Sequence, residues 1–176
     1  MKSIILTILL LSTYLFSADS NTTNKSAEKH IFKLTTIENR EINITTKANG
    51  LDIDKFKGKV VFLSFFGYNC PPCKREIPEF IKMTKEHGED LRIMAIEVRG
   101  LGKDNLKEFI KEKNINYTVI PFNKEAKKFA YHTAMKADWQ GSIPFIIVLD
   151  RTGEVRFLQT GLIPYDALES AFQKVK

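Results

Sequence analysis

The sequence predicts an α/β protein in which a central mixed β-sheet is flanked by helices and extended at its N-terminal side by a small β-hairpin. Three observations carry that prediction. Continuous apolar runs at 59–66 (KVVFLSFF), 91–98 and 145–150 (FIIVLD) are rich in β-branched and aromatic residues. They are too short for most helices and suit strands buried on both faces. Amphipathic segments of helical period separate the runs, the alternation expected of a sheet covered on both sides. Finally, 43% hydrophobic and 27% charged residues among 176 suffice for one packed core and argue against a disordered chain.

The first 18 residues are predicted to lie outside that domain. Lys2 supplies a short positive segment, and residues 4–16 form an apolar stretch broken only by Thr7, Ser12 and Thr13. Small residues follow at Ser17, Ala18 and Ser20. This is the order of a secretory signal peptide, with cleavage expected after Ala18 or Ser20. The stretch is shorter than the roughly 20 residues a bilayer-spanning helix requires, and an uncleaved membrane anchor is the alternative. No cysteine follows it to accept a lipid. Residues 19–29 are polar and without period, a mobile N-terminal lead by composition, so the domain is expected over 30–176.

Within that domain, Ile31, Phe32, Leu34 and Ile37, then Ile42 and Ile44 beyond a turn at Glu38-Asn39, predict a hairpin. The strand at 59–66 runs into a predicted helix over 71–86, interrupted by Pro78, whose missing N–H should kink it. A strand at 91–98 precedes an amphipathic helix at 103–113 that turns Leu106, Phe109 and Ile110 inward. There follow a short strand at 117–120, a helix at 125–137 and the strand at 145–150. A turn at Arg151-Thr152-Gly153, a strand at 154–160 and a helix at 165–175 close the chain. No linker divides it, so one domain is expected.

Composition also narrows the function classes. Net charge is +6, from 27 Lys+Arg against 21 Asp+Glu, and the lysines are scattered through helical stretches rather than gathered into an arm. A solvated basic surface explains this better than a nucleic-acid footprint. Two cysteines exclude a disulfide-built miniprotein and a zinc site made of thiolates alone.

Those cysteines stand as Cys70-Pro71-Pro72-Cys73, directly after a predicted strand and at the start of a predicted helix. The first turn of a helix offers unpaired N–H groups and the positive end of the macrodipole, which favour a thiolate over a thiol. The thiolate is the species that attacks disulfides. Pro71 and Pro72 fit the first helical turn and stiffen it, while Lys74 and Arg75 add positive charge. Cys70 on the loop is therefore expected to be the exposed nucleophile and Cys73 the resolving thiol. Haem attachment would require histidine where Lys74 stands. Structural zinc would need two ligands beyond the cysteines, and for these the chain offers only His30, His87 and His132 apart from carboxylates. An inert staple gains little, because a two-residue spacer closes a very small loop.

With these residues the sequence resembles the thioredoxin superfamily, most nearly its exported TlpA/ResA-type thiol:disulfide oxidoreductases. Residues 58–78 (GKVVFLSFFGYNCPPCKREIP) look like the family's central strand, active-site loop and kinked helix. Gly141-Ser142-Ile143-Pro144 looks like the loop whose cis-proline lies against the active-site disulfide and whose neighbouring backbone pairs with substrate. The resemblance implies a thioredoxin-like fold from Ile31 onward, with Cys70 and Cys73 as the redox-active pair and Pro144 as a further site residue. It departs from the family's pattern in four places. Ser64 stands where many thioredoxins carry a buried aspartate, and Asn69 where tryptophan commonly precedes the first cysteine. Ile143 replaces the threonine frequent in reductases and is closer to the valine of DsbA-type oxidants. An acidic residue is expected near the site after the following strand, where Glu97 is the nearest candidate and a solvated strand end is the plainer reading. Ile143, Glu97 and Trp139 are candidates for lining a substrate groove, though core packing is the commoner fate of a lone tryptophan.

The expected function is a periplasmic protein-disulfide reductase, with cytochrome c maturation among the roles the resemblance implies. Its partners would be protein disulfides or dithiols and a membrane thiol–disulfide electron donor or acceptor. No nucleic acid, bound cofactor or metal is expected, and the protein is expected to be a monomer. A DsbA-like oxidase is one alternative; an isomerase lacks a dimerisation domain, and a peroxidase lacks an isolated peroxidatic cysteine. A copper-binding or copper-delivery protein on the same fold is the alternative from another class, with Cys70, Cys73 and a histidine such as His132 as soft ligands.

Overall fold

Alternating apolar side chains in two short segments open the described part of the chain. In this computed structural model, which describes residues 29–176, β1 (Ile31–Thr35) and β2 (Glu41–Lys47) pair antiparallel. Phe32, Leu34, Ile42 and Ile44 are buried on one face, the hairpin that the alternation predicts. The predicted signal peptide, and all of the polar lead except Lys29, lie outside the described residues.

A third strand, β3 (Gly50–Ile53), pairs with β2 and was not expected. Its four residues are too few for alternation to show, and beside its pairing with β2 it makes a tertiary contact. Leu51 N–H donates to the Gly153 carbonyl at 2.8 Å, and Gly50 bridges Glu154. A Cβ on Gly50 would sit 2.1 Å from the Gly153 oxygen, and one on Gly153 would sit 2.1 Å from the Leu51 oxygen. Only two facing glycines allow the backbones that close.

The central sheet is built on β4 (Val60–Phe66), every residue of which is buried. β5 (Leu91–Glu97) lies parallel to it on one side and β7 (Phe145–Leu149) antiparallel on the other. Beyond them, β6 (Thr118–Ile120) and β8 (Val155–Thr160) complete the order β6-β5-β4-β7-β8. Four helices fill the connections: α1 (Pro71–His87), α2 (Lys103–Glu112), α3 (Lys124–Ala137) and α4 (Tyr165–Val175). Each predicted helix and central strand is present to within two residues. Helix α3 begins one residue early because the Asn123 side chain accepts from the N–H groups of Glu125 (3.1 Å) and Ala126 (2.9 Å).

Strand periodicity sorts β4 between two layers. Val61, Leu63 and Phe65 pack with the small sheet and with Phe129 of α3. Val60 and Phe62 pack with Phe80 and Met83 of α1 and with Leu168 and Phe172 of α4. Phe66, one step further along the second face, packs with Cys70, Cys73, Ala95 and Leu106. The cysteines thus sit where the α1 face of the sheet meets its C-terminal edge. Helix α1 continues through Pro78, whose ring is on the exposed side.

Candidate functional site

Cys70 is the N-cap of α1, with extended backbone angles, and Pro71 and Pro72 occupy the first helical positions. The fixed φ of proline suits those positions, and its missing N–H would have had no helical partner there. Cys70 and Cys73 form a disulfide with an S–S distance of 2.15 Å. The Cys73 backbone N–H donates to Cys70 Sγ at 3.2 Å. This N–H is one of the donors left over at a helix start, aimed at the sulfur that would carry negative charge after reduction. Lys74 and Arg75 follow with exposed side chains.

The sequence argues for an exposed Cys70. The structure corrects this: Cys70 is 8% exposed and Cys73 2%. Cys70 is still the more accessible sulfur, but the 141–144 loop folds against it. The Ile143 carbonyl oxygen lies 3.8 Å from Cys70 Sγ, and the Ile143–Pro144 peptide bond is cis. Trp139 holds this loop from behind. It is buried, stacks on Phe145 with ring centroids 4.9 Å apart and 9° between planes, and donates from Nε1 to the Ser142 carbonyl at 2.6 Å. It is a packed residue that braces the loop.

Glu97 is fully buried and not a solvated strand end. Its carboxylate accepts from the backbone N–H groups of Arg99 (2.9 Å), Gly100 (2.8 Å) and Leu101 (3.0 Å). It therefore pins the loop after β5. Ser64, six positions before Cys70, is completely buried in β4 and its hydroxyl has no partner.

The acidic group that does lie beside the cysteines is Glu76, which the sequence reading missed. It shares the inner face of α1 with Cys73, one turn on, and is only 2% exposed. Its Oε1 has no hydrogen-bond partner. Burial pushes its carboxyl from the ordinary 4.5 up to about 7, against an opposing backbone hydrogen bond from Ile163. The Tyr117 phenol is pushed up by its own burial and then by the charge of Glu76. A signal was present: Cys73, Glu76, Ile77, Phe80 and Met83 are the buried stripe of α1, and a glutamate in such a stripe is conspicuous.

The copper donor set is not assembled. His132 packs on α3 against His30 and Phe32, with ring centroids 4.9 and 5.3 Å away, in the layer of the small sheet. Cys73 belongs to the layer on the other face. Among the described residues, one group of three metal-capable side chains occurs, Glu86, His87 and Glu169, at the far end of α1.

A buried pair of sulfurs at a helix start, with an N–H on one sulfur and a carbonyl beside it, is equipped to exchange a disulfide with a second chain. Comparison with known proteins agrees. Residues 30–158 match the model of the AhpC/TSA family. The chain is 27% identical over 127 residues to the thiol-disulfide oxidoreductase ResA of Geobacillus kaustophilus, covering 70% of this chain and 67% of that one. It is 23% identical over 142 residues to the sporulation thiol-disulfide oxidoreductase A of Bacillus subtilis, covering 79% and 76%. Among solved structures, that of StoA from Bacillus subtilis superposes with a TM-score of 0.61 at 21% identity, covering 81% of this chain and 96% of that one. A putative thiol:disulfide interchange protein DsbE from Chlorobium tepidum has a TM-score of 0.61 at 18% identity, covering 83% and 93%.

Proposed function

The chain belongs to the AhpC/TSA family, and from that premise we propose that it is an exported protein-disulfide reductase whose redox centre is Cys70–Cys73. The observation that carries the reading is the disulfide itself, with the Cys73 N–H on Cys70 Sγ at 3.2 Å and the Ile143 carbonyl 3.8 Å from the same sulfur. Thiol–disulfide exchange is the chemistry named for the relatives.

In the reduced protein the Cys70 thiolate attacks one sulfur of a substrate disulfide. A bond forms between Cys70 Sγ and that sulfur, the substrate bond breaks, and the second substrate sulfur leaves as a thiolate that takes a proton from solvent. Cys73 then loses its proton to Glu76, the buried carboxylate one turn away on the same helix face, and attacks Cys70 Sγ. The mixed disulfide breaks, the expelled substrate thiolate takes up the proton that Glu76 gives back, the substrate leaves with two thiols, and the protein keeps the disulfide of the present structure. Two electrons have passed to the substrate. A carboxyl titrating at about 7 is matched to that proton transfer at neutral pH. The extended backbone at Ile143, followed by Pro144, offers its carbonyl edge to a substrate strand.

The first 18 residues act as a signal peptide in this reading, residues 19–29 as a lead, and 30–176 as the thioredoxin-like domain working in the periplasm as a monomer. Re-reduction comes from a membrane thiol–disulfide partner. Oxidised cytochrome c precursors are one substrate class, and Ile143 keeps a DsbA-like oxidase as the second reading. The equilibrium potential of the pair separates the two. A value near −270 mV, roughly that of thioredoxin, supports a reductase, and one near −120 mV, roughly that of DsbA, overturns it. N-terminal sequencing of the exported protein, with residue 19 or 21 expected first, tests the processing.

A further inference from the structure

We propose that Arg99, with Lys74 and Arg75, forms a basic rim beside the disulfide that selects protein thiols and disulfides flanked by aspartate or glutamate. This rests on the exchange chemistry above and adds a specificity that nothing in it requires.

The first observation is where Arg99 lies. A Cβ on Gly67 would fall 2.5 Å from Arg99 Cγ and 2.9 Å from Ile143 Cδ1. The arginine stem and the Ile143 side chain therefore meet over the bare backbone of Gly67. The Gly67 carbonyl accepts from the Cys70 N–H at 3.1 Å, and the Ile143 carbonyl is beside Cys70 Sγ. Arg99 is thus packed, through its stem, against both segments that frame the reactive sulfur.

The second is how the loop is held. Glu97, fully buried, accepts from three consecutive backbone N–H groups beginning with that of Arg99 itself. Gly100 has a φ of +80°, which tightens the turn. A buried carboxylate with three donors anchors the loop, and the side chain this loop presents outward is an exposed arginine.

The third is that the charge is uncommitted. On the neighbouring helix, Lys107 pairs with Asp104 at 3.5 Å and Lys113 with Glu112 at 2.6 Å. Lys74 contributes its field to Glu112 but makes no ion pair, and Arg75 and Arg99 have no side-chain partner among the described residues. A pre-positioned guanidinium without a partner suits a carboxylate presented in two-pronged fashion, and the exposed Lys74 and Arg75 that follow Cys73 add positive charge that steers acidic partners.

The test uses the mature protein and three disulfide-bonded peptides that differ only in flanking residues: Glu/Asp, Ser or Lys. The acidic peptide should be reduced with a kcat/KM about tenfold above that of the lysine peptide at low ionic strength, converging as salt rises. Arg99→Gln should bring this ratio close to one with the equilibrium potential of the cysteine pair unaltered, and Arg99→Lys should restore part of it. Glu97→Gln, which loosens the loop without touching the rim charge, should lower the ratio less. A ratio near one in the wild type, or one that Arg99→Gln leaves intact, overturns the proposal. Failure to reduce even the Ser-flanked peptide would instead overturn the exchange reading on which it rests.

Discussion

The two ends of helix α1 carry polar clusters of opposite kind. At the C-terminal end the charged and aromatic side chains pair with one another, although the Thr84 hydroxyl there is buried without a partner. His87 Nε2 lies 2.7 Å from Glu169, which also accepts from Gln173 at 2.7 Å, while the Tyr165 hydroxyl donates to Glu86. Lys82 sits 3.5 Å above the Tyr165 ring, and the His87 ring covers Phe172 at 4.4 Å. That end joins α1 to α4. At the N-terminal end the groups are left unsatisfied: Glu76 Oε1 and, beneath the helix, Ser64 Oγ are buried without partners near a disulfide able to open. An unpartnered buried polar atom costs about 1–3 kcal/mol. The difference teaches that the charged groups joining α1 to α4 are paired off, while the carboxyl proposed to exchange a proton has an oxygen left without a partner.

The comparison can be broken most forcefully at the sulfurs. Cys70→Ser should reduce disulfide exchange to background, whereas Cys73→Ser should accumulate mixed disulfides through Cys70, visible as mass adducts released by dithiothreitol. Exchange that survives in Cys70→Ser would place the reactive sulfur elsewhere.

Next comes Glu76. Glu76→Gln should slow release of the mixed disulfide about 10²-fold at pH 7 and remove an inflection near pH 7 from its rate profile. Stability gives an independent reading. The folded-state value lies above the ordinary 4.5, so the favourable contribution is complete below pH 4.5 and is lost as pH rises through about 7. The full effect is about 3 kcal/mol. Urea unfolding should therefore show Glu76→Gln gaining on the wild type between pH 5 and pH 8; parallel pH profiles would mean that Glu76 is already satisfied.

Where the loop is braced the effect is expected on stability and less on exchange. Trp139→Ala should cost about 3–5 kcal/mol of unfolding free energy from lost packing. Trp139→Phe should cost about 1 kcal/mol, through loss of the Nε1 hydrogen bond to Ser142. Both are read by chemical denaturation; a Trp139→Phe variant as stable as the wild type would mean that the hydrogen bond contributes nothing, and equal costs would mean that the ring packing does not.

The smallest effect belongs to the paired end. Glu169→Gln should cost no more than about 1 kcal/mol, since its partners are half exposed to water and salt. Exchange rates should stay within about twofold of wild type, because nothing links that cluster to the sulfurs. A large kinetic loss there would break the contrast between the two ends.

How much of this was legible depended on whether the cause was local. The apolar runs of β4, β5 and β7, the amphipathic α2 and the Pro-Pro helix start are local patterns, and the strands and helices formed where those patterns lay. Strand β3 was not legible, because its four residues are too few to show an alternation; it pairs with β2, and its close approach to Gly153, about a hundred positions away, exists only in the fold. Glu97 could be singled out in the chain, but its partners could not, since a carboxylate at a strand end may equally face water; a fold in space turned it onto three amides.

The cysteine pair was thus determined by sequence alone: a strand, two prolines and a helix start are contiguous, and the helix dipole acts within one turn. Tertiary structure alone decided what surrounds that pair. It seated the Ile143 carbonyl beside Cys70, buried Cys70 to 8%, and kept Glu76 dry enough to titrate near neutrality. Burial and close approach are properties of packed neighbours from distant parts of the chain. The disulfide pair could therefore be read from order along the chain, and its environment only from its folding.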